Sequence, residues 1–228
     1  MVSAVEYLKG KRQDAVLAGA RLLGIILAIV HMRLAIVVFA GVYAARVMQR
    51  LEGVSLTRDW LRRAMHEDSG HYVFYCLAIY SLPPSLVLLL PVTLNSLLAV
   101  IGFLNVMLRE TGQPAVLKFP INFIAQRQQS VFQMICNFEV AALFLTVFTL
   151  VTSRLAIPAL LAFMTMALFH MLRFYSRRNN TNRIFWSQAV FVLDHASTHR
   201  YCPAIVARVY HAIKTRVVQY ATRIKPQE

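Results

Sequence analysis

Apolar residues fall in three long runs along the chain, Ala15 to Met48, His71 to Leu108 and Val131 to Tyr175, separated by short polar connectors. The runs are 34, 38 and 45 residues long, whereas one helical span of a bilayer needs about 20. Each run must therefore break or tilt. His31 and Arg33 sit midway along the first, Pro83-Pro84 and then Pro91 interrupt the second, and Ser153-Arg154 with Pro158 interrupt the third. Proline removes a backbone donor and disfavours helix at the residue before it, and charged groups resist hydrocarbon. Each run then reads either as two apolar helices with a joint, or as one span plus a helix lying in the interface. Phe132 to Val151 is the cleanest single span.

The connectors and the end of the chain follow a different pattern. Arg50 to Gly70 carries a short helix with Thr57 as its N-cap, and Ser69 or Asp68 is expected to cap the membrane helix that follows. Arg109 to Ser130 contains Gly112, Pro114 and Pro120 and should be partly irregular. Beyond Tyr175 two amphipathic helices are predicted. The first runs from Arg183 to about Ala196, and the second opens at Pro203, with Val206, Val209, Ile213, Val217 and Tyr220 on one side. The expected organisation is a helical membrane domain over 1–175 and a basic tail over 176–228, in an all-α integral membrane protein.

Composition sharpens this picture. Only 15% of residues are charged and mean hydropathy is +0.55, against about 25% charged in a soluble domain. Lysine and arginine total 24 against 10 acids, a net charge of +14. Beside spanning segments, that excess points to an anionic membrane face and not to nucleic acid. Three simple spans would place fifteen basic residues, in the tail and the first connector, opposite six. Three hairpins would place all twenty-one on one face. Both arrangements make the tail cytosolic. The basic amphipathic tail helices either lie in the headgroup plane or pack on the protein's own membrane domain. Their candidate membrane- or partner-binding residues are Arg183, Phe185, Trp186, Arg208, Lys214 and Arg216.

Little of the chain suggests catalysis. His66-Glu-Asp-Ser-Gly-His71 has its histidines five apart, about 140° apart on a helix, so it misses the one-turn spacing of a zinc protease. Cys76, Cys136 and Cys202 form no CxxC pair and read as reduced or packed thiols. No Ser-His-Asp set, P-loop or dinucleotide fingerprint appears, so neither metal nor cofactor is expected. His170 and His195 read as interfacial, and Tyr72, Tyr75, Trp60 and Trp186 as aromatic-belt residues. Glu139, with Asn137 beside it, lies within the cleanest span, where a carboxylate must be protonated, paired or at a polar cavity. Arg21, Arg33 and Arg154 are its expected partners. The options are a packing lock or a transport pathway.

Several stretches resemble the transmembrane protein 33 family, also called Krüppel homologue 2, which includes yeast nuclear-pore membrane relatives. They are Glu67-Asp-Ser-Gly-His-Tyr72, Gln128-Gln129, Glu139-Val140, Thr146-Val-Phe148, Leu172-Arg173, Ser176-Arg177-Arg178-Asn179, Cys202-Pro203 and Arg208. Asn180 departs from the pattern, which has proline there, and the stretch before Ser55 is shorter. The resemblance implies residence in the endoplasmic reticulum and nuclear envelope. It also implies a non-enzymatic part in membrane shaping, nuclear pore assembly and stress signalling of the unfolded-protein-response kind. The partners it implies are reticulon-type proteins, pore components and import receptors.

Overall fold

The computed structural model describes residues 4–51, 53–55, 57–111, 123–124, 126–152, 156–176 and 181–224. Among them every regular element is a helix: α1 Ala4–Gly10, α2 Arg12–Val30, α3 Met32–Arg50, α4 Arg58–His66, α5 Asp68–Tyr80, α6 Leu86–Thr111, α7 Gln128–Thr152, α8 Ala156–Tyr175, α9 Thr181–Thr198 and α10 Ala204–Ile224. Two compact units result, 1–182 and 183–228.

The joints follow the sequence closely. His31 ends α2 and caps α3, its Nδ1 accepting the Leu34 N–H at 3.3 Å. The second run breaks at 81–85, where two prolines follow Leu82. Pro91 does not break the helix; it lies buried within α6. It falls in the second turn of that helix, near the end where backbone donors lack intrahelical partners anyway. The third run is helical on either side of 153–155, residues that lie outside those described. Thr57 caps α4 as expected, accepting the Trp60 N–H. Neither Ser69 nor Asp68 caps α5: the cap is Glu67, which makes no side-chain cap bond, because Asp68 is engaged elsewhere. Pro203 stands one residue before α10 and supplies the first accepting carbonyl.

Five helices are long and apolar enough to cross a bilayer: α2, α3, α6, α7 and α8, the last over Ile157–Phe174. Three simple spans are thus corrected to five candidates, and α5 accompanies them. At 13 residues α5 is about 20 Å long, short of a hydrocarbon core of about 30 Å. It is nevertheless central, packing against α3 and α8. Its Tyr72, Tyr75 and Ile79 join Phe39, Tyr43, Leu89, Met166 and Phe169 in the core. Tyr43 and Tyr72 stack at 4.9 Å, and Tyr75 meets Phe169 at 5.0 Å while donating to the Leu88 carbonyl. Tyr72 and Tyr75 are therefore core residues and not the belt residues expected, because their hydroxyls find partners inside the bundle.

Outward faces are apolar as well. Ile29, Val30, Phe148, Val151 and Ile157 are all exposed, a surface suited to lipid and not to water. Polar ties gather at one end of the first unit. Arg46 in α3 pairs with Asp14 in α2 at 2.8 Å, Arg50 pairs with Glu67 at 2.6 Å, and Ser176 donates to Asp68 at 2.6 Å. The start of α2, the end of α3, the start of α5 and the exit of α8 therefore share one end. That is a hairpin arrangement for α2–α3, with the His31 joint at the opposite end. Helical hairpins were one of the two arrangements the charge pattern allowed.

Candidate functional site

Glu139 is the centre of the polar chemistry in the first unit. It sits midway along α7 with no solvent exposure. Tyr72 of α5 donates its hydroxyl to Oε1 at 2.7 Å, and Arg173 of α8 donates Nη2 to the same oxygen at 3.2 Å. Asn182 donates Nδ2 to Oε2 at 3.4 Å. The predicted partners are thus replaced: Arg33 is exposed, the half-buried Arg21 makes no contact with the acid, and Arg154 lies outside the described residues. Arg173 qualifies because it enters near the end of α8, where that helix passes α7.

Arg173 binds more than one group. Its guanidinium also donates to the Tyr72 hydroxyl at 3.3 Å and lies over that ring at 5.1 Å from the centroid. Its Nη1 approaches Asp68 Oδ1 at 3.8 Å, and Asp68 accepts the Ser176 hydroxyl. The cation is held between two carboxylates, one fully enclosed and one half-buried. In a low-dielectric interior such a pair persists only when its remaining lone pairs and protons are also bonded.

Two histidines finish the surroundings. His170 bonds the backbone carbonyl of Glu139 through Nε2 at 3.1 Å. It is buried, not interfacial, since Glu139 draws the end of α8 inward. His71 is also buried, and burial lowers its pKa, so the ring is neutral at pH 7. A carbonyl can only accept, so His71 Nε2 donates to Met65 O at 2.8 Å. His71 thereby ties the start of α5 to the end of α4, while His66 is exposed. Gly70 makes the same junction possible: a Cβ there would lie 2.2 Å from the Ala64 carbonyl oxygen.

The motifs that were separate in sequence therefore meet in space. Asp68, His71 and Tyr72 come from one, Glu139 from a second, Arg173 and Ser176 from a third. Arg177, Arg178 and Asn179 lie outside the described residues. Glu67 belongs to the exposed pair with Arg50, and Asn137 is exposed on the other side of α7 from Glu139. Asn182 was missed by sequence reasoning. Its only signal was an amide just after a hydrophilic exit segment. Cys76 and Cys136 are buried free thiols, and Cys202 is free and half-buried.

The second unit has its own polar tie. Lys214 of α10 pairs with Asp194 of α9 at 2.6 Å, and Tyr210 donates to the same carboxylate at 2.9 Å. Lys214 is thereby engaged within the unit. Arg183, Arg208 and Arg216 are exposed, and Phe185 and Trp186 are half-buried against each other, ring edge to face at 5.7 Å. Phe191, Val192, Ile205, Val206 and Val209 are all exposed. The side chains of Ile213, Val217 and Tyr220 lie outside those described.

Comparison with known proteins gives a consistent picture. The family model described as Transmembrane protein 33/Nucleoporin POM33 matches residues 19–223. The chain is 30% identical to "Transmembrane protein 33" of Homo sapiens over 168 residues, covering 73% of this chain and 67% of that protein. It is 28% identical to "Transmembrane protein 33 homolog" of Caenorhabditis elegans over 177 residues, 76% of this chain and 64% of the relative. It is 42% identical to "Krueppel homolog 2" of Drosophila melanogaster over 59 residues, 26% of this chain and 21% of that one. No solved structure matches.

Proposed function

We propose that this chain, which belongs to the Transmembrane protein 33/Nucleoporin POM33 family, is a non-enzymatic organiser of the endoplasmic reticulum and nuclear envelope membrane. It is a multi-pass membrane protein, and neither the family nor the relatives above carry an enzymatic name. The observation that carries the reading is the enclosure of Glu139. A transport or relay acid must exchange protons or ions with water, whereas this one is held by donors from α5, α8 and Asn182. Such an acid serves as a lock between helices. The transport alternative needs an opening beside Glu139, and its enclosure speaks for the lock.

In this reading the shared polar end of the first unit faces the cytosol, because basic connectors are retained there. The second unit pairs exposed apolar side chains with the free cations Arg183, Arg208 and Arg216, a combination suited to an anionic leaflet. Membrane shaping, links to reticulon-type proteins, nuclear pore components and import receptors, and stress signalling follow from the family and are part of the proposal. Full-length protein bearing Phe191→Glu and Val206→Glu tests it in cells. The expected outcome is retained membrane insertion with altered reticulum morphology or loss of nuclear-rim enrichment. Unchanged morphology and location would count against the organising role. Ion flux in vesicles that Glu139→Gln abolishes would favour the transporter.

A further inference from the structure

We propose that the groove between α3, α4 and α5 is a binding site for one acyl chain of an anionic phospholipid. Its volume is about 270 Å³. Drug-sized ligand pockets run about 300–1,000 Å³, so the groove suits part of a single chain. Every lining side chain is apolar: Val47 and Met48 from α3, Trp60 and Leu61 from α4, Val73 and Phe74 from α5 are the principal ones. No group in that wall would reward a polar ligand, and a hydrocarbon tail needs none.

Three observations select a lipid with a negative headgroup. The groove lies beside the last turns of α3, at the end of the unit where the Arg46–Asp14 and Arg50–Glu67 pairs mark the polar boundary. A lipid seated there has its headgroup level with those ion pairs. Next, α4 is divided by chemistry. Trp60, Leu61, Ala64 and Met65 turn to the groove, while Arg58, Arg62 and Arg63 are exposed with Asp59 as the only acid of the helix. That surplus of cations complements a phosphate and a carboxylate. Finally, the wall is held in place by named bonds. Gly53 has φ +114°, a conformation for glycine, and its carbonyl accepts the Trp60 Nε1–H at 2.9 Å. Gly70 permits the α4–α5 approach that closes the floor.

Trp60 is also the reporter. The chain has two tryptophans, so Trp186→Phe leaves one indole, in the groove. Full-length protein in this background is reconstituted into phosphatidylcholine vesicles. A few mole per cent of phosphatidylserine or phosphatidylcholine, brominated on the acyl chains, is then added. The expected result is saturable quenching of Trp60 that favours the brominated phosphatidylserine, on the order of fivefold per engaged arginine. Arg58→Gln with Arg62→Gln and Arg63→Gln should remove the headgroup preference while leaving thermal stability unchanged. Val73→Trp in a Trp60-retaining chain is unsuitable as a filler because it adds an indole, so Ala44→Phe serves, and it should reduce quenching by both lipids. Equal quenching by the two lipids, or a preference that survives the triple substitution, overturns the proposal. Absence of quenching by either would show the groove covered by protein, and overturns it too.

Discussion

Two clusters in this protein use the same three side-chain types and do different physical jobs. In the first unit Glu139, Arg173 and Tyr72 form an acid–cation–tyrosine set with almost no exposure. In the second, Asp194, Lys214 and Tyr210 form the same set with roughly a third of the acid and amine exposed. Enclosure decides the difference. The buried set cannot exchange its bonds for water, so each member depends on the others. The exposed set competes with solvent at every contact, and surface pairs of that kind contribute little. One cluster is a lock; the other is a staple.

The largest effect should come from leaving one charge of the lock unpaired. Glu139→Leu or Arg173→Met alone should destabilise the protein in detergent by about 3–5 kcal/mol, measured by thermal or denaturant unfolding. Gly70→Ala sharpens the comparison without touching a charge. It drives α5 away from the Ala64 carbonyl, displacing Asp68 and Tyr72, and should cost about 1–3 kcal/mol. Tyr72→Phe removes a hydroxyl bonded to a carboxylate, a loss of about 1.5–3 kcal/mol, whereas Tyr210→Phe should be hard to detect by the same assay. If the two tyrosine variants were equal, enclosure would not be what separates the clusters.

The smallest effect is the pH response of the staple. The Lys214 and Tyr210 bonds lower the Asp194 pKa, so its stabilisation is present above the ordinary carboxylate value. That contribution is lost as pH falls through the lowered one. The Asp194 bond raises the Lys214 pKa, so that contribution is complete below the usual amine value and is lost only as pH rises through the raised one. Hydrogen exchange in α9 and α10 should thus be insensitive to pairing at neutral pH once corrected for intrinsic rates. It should quicken at the acidic extreme, and Asp194→Asn should abolish that acid sensitivity.

Much of the helical plan was legible because joints are local. His31, the Pro83-Pro84 pair and Thr57 act on their own backbone neighbours, and each marks the boundary it was expected to mark. Pro91 misled because a proline early in a helix removes a donor that has no partner there. The number of crossing helices was not legible, since run length alone does not separate a tilted span from a hairpin. Glu139 announced itself as a charge in an apolar run, but Arg173 did not, because its link to Glu139 depends on α7 and α8 packing side by side. Tyr72 looked like a belt residue for the same reason: its sequence position suggests an interface, and only the packing of α5 against α3 and α8 encloses it.

The central claim, that Glu139 and Arg173 form a lock whose members depend on each other, is tested most directly by a double-mutant cycle. Unfolding free energies are measured for wild type, Glu139→Leu, Arg173→Met and the double variant, all as full-length protein in one detergent. The account predicts that the double variant recovers much of the stability lost in either single one, because no buried charge is then left without its partner. Additive losses, with the double variant the least stable of the four, would contradict it.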